Sequence, residues 1–167
     1  MLHASPLPSD RDKAEQYRHL VGNARSLLES ETDRIANAAN FAALVFHGLP
    51  ELNWAGFYFF DGRELVVGPF QGKPACVRIA LGRGVCGTAA ASGATQRVAD
   101  VHAFAGHIAC DAASQSEIVV PLQAADGSLI GVWDVDSPRQ ARFDAEDQFG
   151  MEALCEVFVA AWCRSGA

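Results

Sequence analysis

No stretch of this chain approaches the roughly 20 consecutive apolar residues that a membrane span requires. No two cysteines stand at the short spacing of a zinc-binding pair. Positive charge is scarce as well: 13 Lys and Arg face 20 Asp and Glu, a formal net charge of −7. Phosphate neutralisation needs clustered cations, so that balance argues against a nucleic-acid binder and favours a small molecule. Met1 to Asp12 mixes Pro, His, Ser and charge without the apolar core of a signal peptide, so a cytoplasmic location is expected. In that reducing compartment the five cysteines are not expected to be permanent bridges, and any that matter should be reactive, metal-binding or buried. There is no internal repeat. What is present is 167 residues, 50% of them hydrophobic, enough for one domain with a sizeable core.

Apolar residues recur at helical spacing from about Tyr17 to Leu28, with Ser9 or Asp10 as the expected cap. They do so again from Thr32 to about Phe46, before Gly48 and Pro50. At Asn53 the period changes. NWAGFYFF suits a strand covered on both faces, and Asp61-Gly62 turns it back into ELVVGPF. ACVRI, from Ala75 to Ile79, predicts a third strand. GRGVCGTAAASG, from Gly82 to Gly93, predicts a glycine turn and a short Ala-rich helix, and TQRVAD a short strand. Residues 101–115 form a long irregular connection of the kind that carries function. SEIVVPLQA and SLIGVWDVD flank Asp126-Gly127 as a second hairpin, and a helix from about Asp144 to Trp162 closes the chain. The expected fold is α+β: a flexible lead over 1–12, then one domain over 13–165 in which helices pack on an antiparallel meander of about six strands.

Three cysteines fall at turns or loops: Cys76 near the start of a strand, Cys86 at the opening of the short helix, and Cys110 in the long connection. A helix N-terminus lowers a thiol pKa, and Cys86 is so placed on this reading. Each is otherwise a small buried hydrophobe, the reading given to Cys155 and Cys163 on the closing helix. A tetrahedral metal site from Cys76, Cys86 and Cys110 with His102 or His107 matches no standard spacing, and no metal is expected. Asp134 and Asp136 stand two apart on a strand and share a face, while Val135 turns away. They either meet water at the strand end or hold a proton or cation between them. The turn at Asp126-Gly127 brings Glu117 close to Asp136. Three acids at one strand end make a site for an ammonium group, or a proton donor whose pKa its neighbours raise. Trp54 and Tyr58, four apart, also share a face, as core or as the wall of a pocket for a methyl group.

The segments NWAGFYFF, GPFQGKPACVRI, GRGVCGTAA, DVHAFAGHIACDAASQSEIVVPL and GVWDVDSP resemble the free methionine-(R)-sulfoxide reductases, a catalytic branch of the GAF domains, from about Tyr17 to Val159. The resemblance implies a GAF-like domain that returns free methionine-(R)-sulfoxide to methionine. Cys110 matches the nucleophile, which passes through a sulfenic acid. Cys76 matches the resolving cysteine and Cys86 an auxiliary one; Glu117 and Asp136 match acids at the departing oxygen. Trp54 and Tyr58 match residues at the sulfur-methyl end, and Asp134 completes the acidic cluster. The implied reductant is thioredoxin, supplied with NADPH through thioredoxin reductase, with no bound cofactor. A homodimer through the two leading helices is expected. Trp133 stands where the family more often has Leu, a change expected to affect packing beside the site. The alternatives are a non-catalytic GAF module sensing a small molecule, a redox sensor, or a zinc-binding regulator.

Overall fold

The computed structural model describes residues 12–106 and 112–164. Nearly all of the expected lead over 1–12, with Ser9 and Asp10, lies outside the described residues, and so do His107 and Cys110. Two helices come first. In α1 (Lys13–Leu28), Tyr17, Leu20, Ala24 and Leu28 form the buried stripe, and Asp12 is the N-cap residue. In α2 (Arg34–Gly48), the Asp33 carboxylate accepts from the Ala36 amide at 2.8 Å, satisfying one of the donors that a helix start leaves open.

The six strands are β1 (Trp54–Phe60), β2 (Glu64–Gly72), β3 (Arg78–Ala80), β4 (Gln96–Val98), β5 (Ser116–Gln123) and β6 (Leu129–Ser137). They are ordered β3-β2-β1-β6-β5-β4, and every neighbouring pair is antiparallel. The antiparallel six-strand sheet is as expected, and its order makes it two three-strand meanders, joined where β1 pairs with β6. The physical reason lies in the crossover: α3 (Gly84–Ser92) carries the chain from one edge of the sheet to the other, leaving β1 and β6 to meet in the middle. The third strand is shorter than ACVRI predicted, because only Arg78–Ala80 pair in the ladder. Cys76 thus lies in the β2–β3 connection rather than in a strand.

Alternation along the central strands divides the interior into two cores. Ala55, Phe57, Ile118, Val120, Trp133 and Val135 face α1, α2 and α4 (Ala145–Arg164). Trp54, Tyr58, Val119 and Val132 face α3 and the loops around it. Trp133 packs against Phe41 at 4.9 Å and Phe57 at 4.6 Å, on the far side of the sheet from the residues described next. Its expected effect beside the site is corrected accordingly. Cys155 is buried as expected, but Cys163 is an exposed free thiol near the last turn of α4. One buried carboxylate locks the helices together: Asp147 accepts from Tyr17 Oη at 2.9 Å, Lys13 Nζ at 2.8 Å, Arg142 Nη1 at 3.1 Å and the Asp144 amide at 3.0 Å.

Candidate active site

On the second face of the sheet four elements converge on one hollow. Strand β1 supplies Trp54 and Tyr58, β5 supplies Glu117, β6 supplies Asp134 and Asp136, and the first turn of α3 supplies Cys86. The register that places the acids is direct: Glu117 pairs with Asp136, and Val119 with Asp134. Glu117 and Asp134 therefore sit on neighbouring strands, two positions out of step and facing the same way. Each is only 6% exposed.

Helix α3 reaches the sheet because Gly87 has no side chain. A Cβ there would strike the Ala80 carbonyl, so glycine lets the helix seat Cys86 beside the acids. The Cys86 thiol donates to Glu117 Oε1 at 3.9 Å, a long sulfur hydrogen bond. Ligand atoms of Cys86, Glu117 and Asp134 all lie within 4.8 Å of one another. By donor type and spacing this trio could accept a small cation, or it holds protons instead.

Burial decides which groups are charged. Removal from water pushes the Glu117 carboxyl well above the usual carboxylate range, and Asp134 and Asp136 push it further. Burial also raises Asp134, to about 7, although hydrogen bonding from Cys86 and Glu117 pulls it down. Oδ1 of Asp134 is buried without a hydrogen-bond partner among the described residues, an oxygen open to an arriving donor. For Cys86 the buried reading holds over the activated one. Its thiol lies far above the ordinary range, first because it is buried and then because Asp134 and Glu117 oppose a negative charge beside them. The helix N-terminus is real, but desolvation outweighs it, so Cys86 is a neutral thiol rather than an activated one.

The wall beside the acids is aromatic. Trp54 stacks on Tyr58 at 5.8 Å and on Phe70 at 5.2 Å. The Trp54 indole N–H donates to the Lys73 carbonyl at 3.1 Å, and the Val67 amide to the Val77 carbonyl at 3.0 Å. Those two bonds pin the connection between β2 and β3 at both ends. Cys76 lies inside that stretch, packs against the Trp54–Tyr58 cluster, and is disulfide-bonded. The thiols of Cys86, Cys155 and Cys163 are free.

Of the residues singled out in the sequence, the hollow gathers Trp54, Tyr58, Cys86, Glu117, Asp134 and Asp136 at its lining, while Cys76 packs against the same cluster without lining it. Cys110 lies outside the described residues. Sequence reasoning missed Ser114 and Arg83, which also line the hollow, and Asn53, whose Nδ2 donates to Ser114 Oγ at 3.0 Å. The glycines on either side of Arg83 were a signal for it, since they expose a tight turn at the mouth. Nothing local marked Ser114.

Residues 23–162 match the GAF domain family. The free methionine-R-sulfoxide reductase of Escherichia coli is 52% identical over 143 residues, 86% of this chain and 86% of its own. A GAF protein from Burkholderia vietnamiensis, known from its crystal structure, is 74% identical, with a TM-score of 0.91 over 93% of this chain and 98% of that one. The X-ray structure of free methionine-R-sulfoxide reductase from Neisseria meningitidis, in complex with its substrate, is 43% identical, with a TM-score of 0.90 over 97% of each chain.

Proposed function

The chain belongs to the GAF domain family and, within it, to the free methionine-R-sulfoxide reductases, and from that premise we propose that it reduces free methionine-(R)-sulfoxide to methionine by thiol chemistry. The observation that carries this reading is the Glu117 carboxyl, pushed toward its protonated form by burial and by Asp134 and Asp136, beside an aromatic wall. A sulfoxide gives up its oxygen to a thiol only when that oxygen is protonated, and a carboxyl that keeps its proton near neutral pH is a suitable donor.

In this mechanism Cys110 attacks the sulfoxide sulfur. Oxygen passes to Cys110, which becomes a sulfenic acid, and methionine leaves. Glu117 and Asp136 act on the oxygen, and Asp134 completes the acidic cluster with its open oxygen toward the substrate ammonium. Trp54 and Tyr58 hold the methyl end. The Cys76 thiol then displaces water from the sulfenic acid and forms a disulfide. The bridge at Cys76, with Cys86, Cys155 and Cys163 free, supports Cys76 as the cysteine that enters a disulfide during turnover. Cys86 packs in the same core as Cys76, which supports its reading as the auxiliary thiol. Two electrons from thioredoxin, ultimately from NADPH, reopen the bridge, and no bound cofactor is needed. Ile35, exposed on α2, supports a homodimer through the leading helices. We place the enzyme in the cytoplasm, where thioredoxin is reduced. No helix among the described residues is long and apolar enough to cross a membrane.

The test is an epimer-resolved assay. Pure protein with a thioredoxin recycling system should consume NADPH with free methionine-(R)-sulfoxide, and not with the S epimer or with peptide-bound sulfoxide. Consumption of only the S epimer, or only of the peptide-bound form, overturns the reading.

A further inference from the structure

We infer that the exposed segment around Cys76, from Lys73 to Arg83, is the landing surface for a dithiol protein reductant whose thiol-bearing face is negatively charged. The inference rests on the reading above, in which thioredoxin reopens the disulfide at Cys76, and adds where that protein docks and what recognises it.

Three independent features of the molecule meet there. The first is apolar exposure. Only Ile35, Val77, Leu81 and Phe149 are large hydrophobic side chains left exposed among the described residues. Two of the four, Val77 at 63% and Leu81 at 39%, flank the three-residue strand β3, and Val77 directly follows the bridged cysteine. An exposed apolar side chain beside a half-buried disulfide, with a second at the other end of the same short strand, is what a partner needs to cover while it reaches the sulfur.

The second feature is charge. The chain carries −7 overall, yet from Leu65 to Val85 it has no Asp or Glu, while Lys73, Arg78 and Arg83 all lie in that stretch, on or beside the β3 edge. Arg78 is met by Asp61 at 2.9 Å and Glu64 at 3.0 Å, so its charge is largely answered. Lys73 and Arg83 are both exposed, and Arg83 makes no ion pair among the described residues. An acidic protein with a cationic rim at its disulfide attracts an acidic-faced partner and repels its own copies elsewhere.

The third is position. Strand β3 is an edge of the sheet, and the connection bearing Cys76 is held rigid by Trp54 at Lys73 and by Val67 at Val77. The surface is therefore formed before the partner arrives, and binding orders little of it.

The electron transfer balances as a dithiol exchange. One thiolate of the partner attacks Cys76 Sγ, a mixed disulfide forms, and the sulfur formerly bonded to Cys76 leaves as a thiolate. The partner's second thiol then attacks its own sulfur in the mixed disulfide and releases Cys76. Two electrons and two protons pass from the partner's thiols, which become a disulfide, to the enzyme's disulfide, which becomes two thiols.

The test compares two reductants on the full chain. V77D and K73E lie outside the hollow, so turnover driven by dithiothreitol should match wild type, which also reports that the variants fold. With a bacterial thioredoxin, thioredoxin reductase and NADPH, the KM for thioredoxin should rise about tenfold in V77D and several-fold in K73E, at unchanged KM for the sulfoxide. For wild type, added salt should lower kcat/KM with thioredoxin and leave the dithiothreitol rate alone. Equal thioredoxin KM in all three proteins overturns the docking surface while leaving the reductant assignment intact. If wild type turns over with dithiothreitol and not with thioredoxin, the reductant assignment fails and the docking surface falls with it.

Discussion

A carboxyl group buried beside another carboxyl and a thiol has no cheap way to ionise, and Asp134 shows the consequence for stability. Its proton is bound up to about pH 7 in the native protein, whereas an unfolded aspartate releases its proton near pH 4. Between those values the folded state binds more protons than the unfolded one. The contribution is therefore complete below about pH 4 and lost as pH rises through about 7. Asp134→Asn cannot ionise, so its melting temperature relative to wild type should climb between pH 5.5 and 8.5, on the order of 5 °C, even as activity falls. An equal difference at both pH values would show that Asp134 is already charged in the native state. At this scale the sequence was informative about neighbours and silent about solvent. Counting from Asp126-Gly127 put Glu117 next to Asp136, and the register agrees. The helix N-terminus at Cys86 was equally legible, but its effect on the thiol was reversed by a burial that no local pattern reports.

Among the elements, the helices before and after the sheet are joined by one buried anion. Asp147 takes hydrogen bonds from α1, from the β6–α4 connection and from its own helix start, and it has no exposed surface. Asp147→Ala would leave the Tyr17 hydroxyl without its acceptor and Arg142, which is 8% exposed, with only the Pro50 carbonyl and Glu51 at 3.7 Å among the described residues. The expected cost is about 3–5 kcal/mol, with a melting temperature lower by roughly 10 °C. Because Asp147 is remote from the hollow, folded protein at low temperature should keep its catalytic constants. By contrast Asp33→Ala, which removes a side-chain cap on α2, should cost only about 1 kcal/mol. Calorimetry of both variants checks the order. The elements themselves were readable because helical and strand periods differ sharply on either side of Asn53. Two things were not: the length of β3, where pairing with β2 stops at Arg78, and the joining of β1 to β6. Both are set by partners distant in the chain, and Cys76 changed its surroundings as a result.

Taken as a whole, the molecule uses its sheet as a partition. One face builds the large core with α1, α2 and α4, and the other leaves room under α3 for acids, a thiol and an aromatic wall. This division explains why Trp133, sequence neighbour of Asp134, has no part in the hollow. It also explains how residues from positions 54 to 136 meet in one place. The central claim is that Cys110 performs the first chemical step there and Cys76 only the second. A rapid-quench measurement of methionine formed per enzyme, with free methionine-(R)-sulfoxide and no reductant, tests it most directly. Cys76→Ser should release close to one methionine per chain, and Cys110→Ser none; equal loss in both variants would contradict the account.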